Sequence, residues 1–214
     1  MKILNFLPVL AVLAVIFPVS SPADECTGVP DLDHSIVTQE YNGQATLLVV
    51  PDGSGPPLTE ARTPTGEIVD ATIHLTMVDY CNGENPVLGF PREDMWLESI
   101  GDGVVFCVGG SIADENTDAA GHTQWSGPLA GGGFDEGNCR VVINGMWAGN
   151  LAGLTINFNS PDINGDRMVN LIDVSIFTQG YYEEYEFRFD FLRDGAVNLS
   201  DISVLASAYG KTCD

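Results

Sequence analysis

The chain has 214 residues, 30 Asp+Glu against 8 Lys+Arg, and a formal net charge of −22. With so few cations, neither a nucleic-acid backbone nor an anionic membrane surface is a plausible partner, because both are held by Lys and Arg. A 44% hydrophobic content is too high for a disordered acidic tail, while 24 Gly and 12 Pro are too many for a helical bundle.

Residues 1–23 read as a secretory leader: Lys2, an apolar run from Ile3 to Val19, then Ser21-Pro22-Ala23 with small residues before the cleavage point. The run contains Pro8 and Pro18 and is followed at once by Asp24 and Glu25, not by a basic stop-transfer patch. A secreted or cell-surface protein with no membrane insertion after cleavage is therefore expected. In an oxidising compartment most of Cys26, Cys81, Cys107, Cys139 and Cys213 should pair, leaving one over. Two of Cys81, Cys107 and Cys139 are expected to bond each other, since they share one region. The cysteines form no CxxC and the three histidines are scattered, which argues against zinc.

Residues 24–160 form an N-terminal extension and a β-rich region. Val69–Met77 alternates apolar and polar residues, and Leu154–Asn159 repeats the pattern. Arg140–Asn144 and Met95–Leu97 are weaker candidates. Turn signals such as Asn85-Pro86, Asp118–Gly121 and Gly131–Gly133 lie between them, the glycine triplet reading as a flexible turn. Short strands at this spacing predict a mainly β chain built on an antiparallel β-sandwich. Three stretches, Ala71–Asp79, Asn85–Phe90 and Thr117–Thr123, resemble the Ig-like domains of bacterial invasin type. That resemblance implies a spacer or display module without an active site.

No nucleophile elbow, HExxH or phosphate loop occurs, so no enzyme is expected. Asp118 with His122 is half a triad at most, and His74 should point outward into solvent. Arg188 and Arg193 flank an acidic segment and should offset its charge. Trp96, Trp125 and Trp147 are expected in the core, and Tyr181, Tyr182 and Tyr185 near the end of a helix. The alternative use of these aromatics is stacking on sugars, in a carbohydrate-binding sandwich or an accessory component of extracellular polysaccharide breakdown.

Residues 161–214 contain a duplicated pattern. Asp162–Asp173 places side-chain oxygens at loop positions 1, 3, 5, 9 and 12 through Asp162, Asn164, Asp166, Asn170 and Asp173. The Met168 carbonyl falls at position 7. A hard cation such as Ca²⁺ takes six to eight oxygens, and this spacing wraps them around one centre. The loop recurs 28 residues later as Asp190–Asp201, with Asp190, Asp194, the Ala196 carbonyl, Asn198 and Asp201. Position 3 is Leu192, which has no oxygen, so the second site should be weaker. Each loop leads into a short helix, with Val174 and Phe177 on one face of the first, Ile202, Leu205 and Tyr209 on one face of the second, and Asn170 and Asn198 as caps.

Paired calcium-loop-plus-helix units of the form D-x-N-x-D-x-x-V-N-x-x-D resemble a type I dockerin module, a small α-helical, EF-hand-like calcium binder. The resemblance implies Ca²⁺ as the structural ion and a non-catalytic attachment role. It places partner contacts at loop positions 10 and 11, here Leu171, Ile172, Leu199 and Ser200. The expected partner is a cohesin-like domain or the chain's own β-sandwich.

Overall fold

A computed structural model describes residues 28–80, 85–101, 103–149 and 153–213. The leader expected over 1–23, Cys26 and Cys81 lie outside the described residues. The chain is mainly β, with twelve strands in four sheets and two helices among the described residues.

Alternating burial fixes the first sheet. Strand β5 (Ile73–Thr76) buries Ile73 and Leu75 and leaves His74 and Thr76 half-covered. It lies between β1 (Ile36–Gln39) and β8 (His122–Trp125), antiparallel to both. Trp125 fills the core beneath and donates its Nε1 to the Ser111 carbonyl at 3.0 Å, so its one polar atom is satisfied. The stretches 71–79, 85–90 and 117–123 meet in space: Val87 N–H bonds the Met77 carbonyl, Met77 N–H the Gly121 carbonyl, and Gly89 N–H the Thr117 carbonyl.

A second sheet has β10 (Cys139–Ile143) between β6 (Met95–Ser99) and β11 (Met146–Ala148). A third runs β12 (Ile156–Asn159), β2 (Ala45–Leu48), β3 (Ala61–Arg62) and β4 (Ile68–Val69). The fourth pairs β7 (Val104–Phe106) with β9 (Gly131–Gly133). Leu47, Leu75, Met95, Leu97, Val141 and Phe158 join one buried cluster across the first three sheets.

Several sequence expectations are corrected. The strands are not all antiparallel: β12 runs parallel to β2, which brings residues 45–48 beside residues 156–159. Strand β12 is buried on both faces, Asn157 and Asn159 included, and at Asn159 residues 187–190 cover the face that alternation assigns to water. Gly131–Gly133 is a fully buried strand and not a flexible turn. Cys107 bonds Cys213, with Cα atoms 5.6 Å apart at a sequence separation of 106, while Cys139 is a buried free thiol. Trp147 is 53% exposed under the Arg140 guanidinium, and Trp96 is only half-buried. His74 is only partly solvated: its side chain is 30% exposed and its Nδ1 lies 3.2 Å from His122 Nε2.

The C-terminal segment follows β12 with only Ser160 and Pro161, both buried, before Asp162. Helices α1 (Leu171–Gly180) and α2 (Leu199–Ala208) enclose a small second core of Ile163, Val169, Phe177, Phe189, Phe191 and Leu205, to which Val50 of the β region contributes. Phe177 stacks on Phe191 and meets Phe189 edge-on, each centroid 5.7 Å away. Of the residues expected on one face of α2, Leu205 is buried while Ile202 and Tyr209 are exposed, and Ala208 is buried as well.

Candidate metal centres

The two loops are held by the same contacts, repeated at an offset of 28 residues. In the first, Asp162 Oδ1 accepts the Asp166 N–H at 3.2 Å and Oδ2 accepts the Arg167 N–H at 2.8 Å. Asp173 Oδ1 accepts from Ile163 and Asn164, and its Oδ2 from Asn170 at 2.9 Å. In the second, Asp190 accepts from Asp194 and Gly195, while Asp201 accepts from Phe191, Leu192 and Asn198. Thus the first and last acids bind backbone N–H groups across each loop and curl it into a ring.

Local sequence explains the curl. Each loop needs left-handed backbone at positions 4 and 6. Gly165 and Arg167 supply it at φ 69° and 73° in the first loop, Arg193 and Gly195 at 55° and 84° in the second. One of the two positions is glycine in each case, where this conformation carries no Cβ penalty, and the order is reversed between the loops. Asn170 and Asn198 then cap their helices. Each side chain accepts from the residue two further on, and the acid three residues on returns a bond to the cap's own N–H.

Asp162, Asp173, Asp190 and Asp201 are all fully buried, and none is ion-paired among the described residues. Isolated buried carboxylates are costly unless a cation or hydrogen bonds compensate them. Burial pushes the Asp162 carboxyl up to about 6; the neighbouring Asp173 and Asp166 charges add to the rise and the Arg167 N–H opposes it. Burial likewise raises Asp201.

The first loop fits a hard cation by its donor chemistry: Asp162, Asn164, Asp166, Asn170 and Asp173 carry side-chain oxygens, and Met168 contributes a carbonyl. Among the described residues no three His, Cys, Asp or Glu side chains gather into a metal site on their own. In the second loop Asp190, Asp194, Asn198, Asp201 and the Ala196 carbonyl hold the equivalent places, but Leu192 leaves position 3 without a donor.

The first loop is set into the β region. Gly133 N–H donates to the Asp162 carbonyl at 2.6 Å. A Cβ on Gly132 would overlap the Asp162 carboxylate, 2.5 Å from its Cγ. Asn159 Nδ2, buried on β12, donates to the Phe187 and Asp190 carbonyls at 2.9 and 3.0 Å and so holds the entry to the second loop. Lys211 pairs with Asp52 at 3.5 Å and also bonds Ser54.

Positions 10 and 11 face outward. Leu171 is 69% and Leu199 72% exposed, with Ile172 and Ser200 also exposed, so the β region leaves these helix starts free. Asp118 is a turn cap, accepting the Ala120 and His122 N–H groups, and is not aligned with an imidazole as a catalytic pair.

Sequence reasoning missed Gly132 and Asn159, because only the folded arrangement puts them against the loops. It also missed Tyr185, whose hydroxyl donates to Asp190 Oδ2 at 3.0 Å and accepts from Arg193 at 2.7 Å. The placement of Arg193 beside two acids was the available signal.

No protein family and no curated protein matches the chain. Among solved structures it is similar to a chain of a type II cohesin–X–dockerin complex, an N-terminal interface mutant, from Acetivibrio cellulolyticus. The match has 19% identity, covers 62% of this chain and 88% of that one, and has a TM-score of 0.25, a level of similarity that supports no conclusion.

Proposed function

We propose that this is a secreted, non-catalytic attachment protein. Its loop–helix repeat is a dockerin-like module that binds Ca²⁺ in the first loop and presents two helix starts to a protein partner, and the β region is an Ig-like sandwich serving as spacer and support. The observation that carries the reading is the repeated pair of buried acids, each curling its loop onto a capped helix whose first turn shows apolar side chains to solvent.

Ca²⁺ would be held by Asp162, Asn164, Asp166, Asn170, Asp173 and the Met168 carbonyl, where it neutralises buried negative charge. The chain's own groups do the rest. Asp173 and Asp162 orient the loop N–H groups, Val169 anchors the loop in the second core, and Asn170 starts α1 in register. The β region covers the inner side of the module, which leaves Leu171, Ile172, Leu199 and Ser200 for an external, cohesin-like partner.

The test is capture of the leader-free chain on immobilised cohesin domains, in Ca²⁺ and in EDTA. Retention that requires Ca²⁺ and disappears in a Leu171→Asp/Leu199→Asp variant supports the reading. Capture unaffected by either change refutes the assigned surface.

One observation favours a second reading, carbohydrate binding. Trp96 and Trp147 flank Val142 on one face of the β6–β10–β11 sheet, with Glu98 accepting from the Trp96 indole N–H at 3.1 Å. Retention on cellulose, chitin or xylan that is lost in Trp147→Ala would establish it, and absence of retention would remove it.

A further inference from the structure

We infer that the second loop keeps its shape without a metal ion, because Arg193 and Tyr185 support its first acid with positive charge and a hydrogen bond. The inference deepens the calcium reading of the first loop and rests on it.

The two loops share their backbone hydrogen bonds but differ in side chains, and the differences at positions 3 and 4 fall beside the first acid. Where the first loop has Asn164 and Gly165, the second has Leu192 and Arg193. Leu192 removes an oxygen from the ring. Arg193 adds a guanidinium to it, and that side chain is buried, with the residue only 8% exposed. No carboxylate pairs with it directly among the described residues. Its Nη1 instead donates to the Tyr185 hydroxyl at 2.7 Å, and that hydroxyl donates to Asp190 Oδ2 at 3.0 Å. The same Asp190 oxygen accepts the Gly195 N–H at 3.0 Å. Asp162, the equivalent acid of the first loop, receives only backbone N–H groups.

Burying a guanidinium without a direct partner is unfavourable unless nearby negative charge compensates it. Here the compensating charge is the second loop's own, from buried Asp190, reached through the Tyr185 hydroxyl. The Phe187 ring packs 4.4 Å from the guanidinium carbon and excludes water from that side. The position is also fixed from the β region, since Gly66 in the β3–β4 turn approaches so closely that a Cβ there would lie 3.0 Å from the Arg193 carbonyl. Arg193 is therefore a built element of the loop and not a loose surface cation. A divalent ion placed in this ring would lack the position-3 oxygen and would be repelled by a guanidinium one hydroxyl away from its first ligand. The donor set of the second loop thus does not fit Ca²⁺, although its acids occupy the right places.

The test is ion stoichiometry in the leader-free chain, by calorimetric Ca²⁺ titration and by Tb³⁺ luminescence, for wild type and for Leu192→Asn/Arg193→Gly. That variant gives the second loop the first loop's residues at positions 3 and 4. One ion in wild type and two in the variant is the expected result. Two ions in wild type overturn this inference and leave the first-loop reading intact; no ion in wild type overturns both. A variant that melts cooperatively yet still binds one ion refutes the role given to Leu192 and Arg193. If the double variant does not fold, Tyr185→Phe decides. It should lower the melting temperature equally in Ca²⁺ and in EDTA, whereas a loss rescued by Ca²⁺ would place an ion in the second loop and overturn the inference.

Discussion

Gly132→Ala is the sharpest perturbation of the contact between the β region and the first loop. The new methyl would sit 2.5 Å from Asp162 Cγ and 3.0 Å from its Cβ, overlapping the carboxylate, and both partners are buried. Strand β9 is held by β7, so the acid must move. Moving it strains the bonds from Asp166 and Arg167, hydrogen bonds to a charged acceptor worth ~1.5–3 kcal/mol each. Overpacking itself costs ~1–3 kcal/mol. Allowing for partial relaxation, the variant should lose about 3–5 kcal/mol of stability. If roughly 3 kcal/mol of that falls on loop geometry, Ca²⁺ affinity drops on the order of 100-fold. The assay is calorimetric Ca²⁺ titration paired with urea unfolding. Gly127→Ala is the control, because a methyl there has only Asp114 Oδ1 as a near neighbour, at 3.7 Å. Wild-type affinity and stability in Gly132→Ala would refute the claim that the loop is seated in the β layer.

Other outcomes follow from the same contacts. Asp173→Ala removes an acceptor serving three loop N–H groups and should abolish Ca²⁺ binding, with a loss of ~3–5 kcal/mol, read by melts with and without EDTA. Cys107→Ser/Cys213→Ser opens a crosslink spanning 106 residues and should lower stability by roughly 4–5 kcal/mol on chain entropy. A variant that melts like wild type would show that the bond does not constrain the unfolded chain. Lys211→Ala should change stability by only ~0–1 kcal/mol, since its pair with Asp52 is about one-third exposed. Asn159→Leu leaves the Phe187 and Asp190 carbonyls without their donor. It should destabilise the protein by about 1–3 kcal/mol in urea unfolding, and a neutral result would remove Asn159 from the interface.

Local patterns carried well from sequence to structure, and contacts made at a distance did not. Strand β5 was readable because one of its faces meets the core and the other only partial cover, which is what period-two alternation encodes. The 28-residue repeat was readable because loop acids and caps act on neighbours within a dozen residues. By contrast, Ile156-Asn157-Phe158-Asn159 alternates like a half-exposed strand, and nothing in its order says that both asparagines are buried or that Asn159 meets the Phe187 and Asp190 carbonyls. Gly131–Gly133 reads as a turn until Asp162 and Phe106 are seen to occupy the space its side chains would need. The Cys107–Cys213 bond joins the β region to the last residues of the chain, a pairing no spacing rule supplies. Tyr185 and Arg193 act as a pair on Asp190 only because the chain turns through Phe187–Phe189 between them.

The most direct test of the central proposal, that the first loop folds around calcium, is the melting temperature of residues 24–214 as Ca²⁺ is titrated in and then removed with EDTA. Binding to the native state alone should raise stability by about 2.7 kcal/mol at a hundredfold excess over Kd. The predicted result is a reversible rise in melting temperature that Asp162→Ala eliminates and Asp190→Ala does not. Identical melts in Ca²⁺ and EDTA would contradict it.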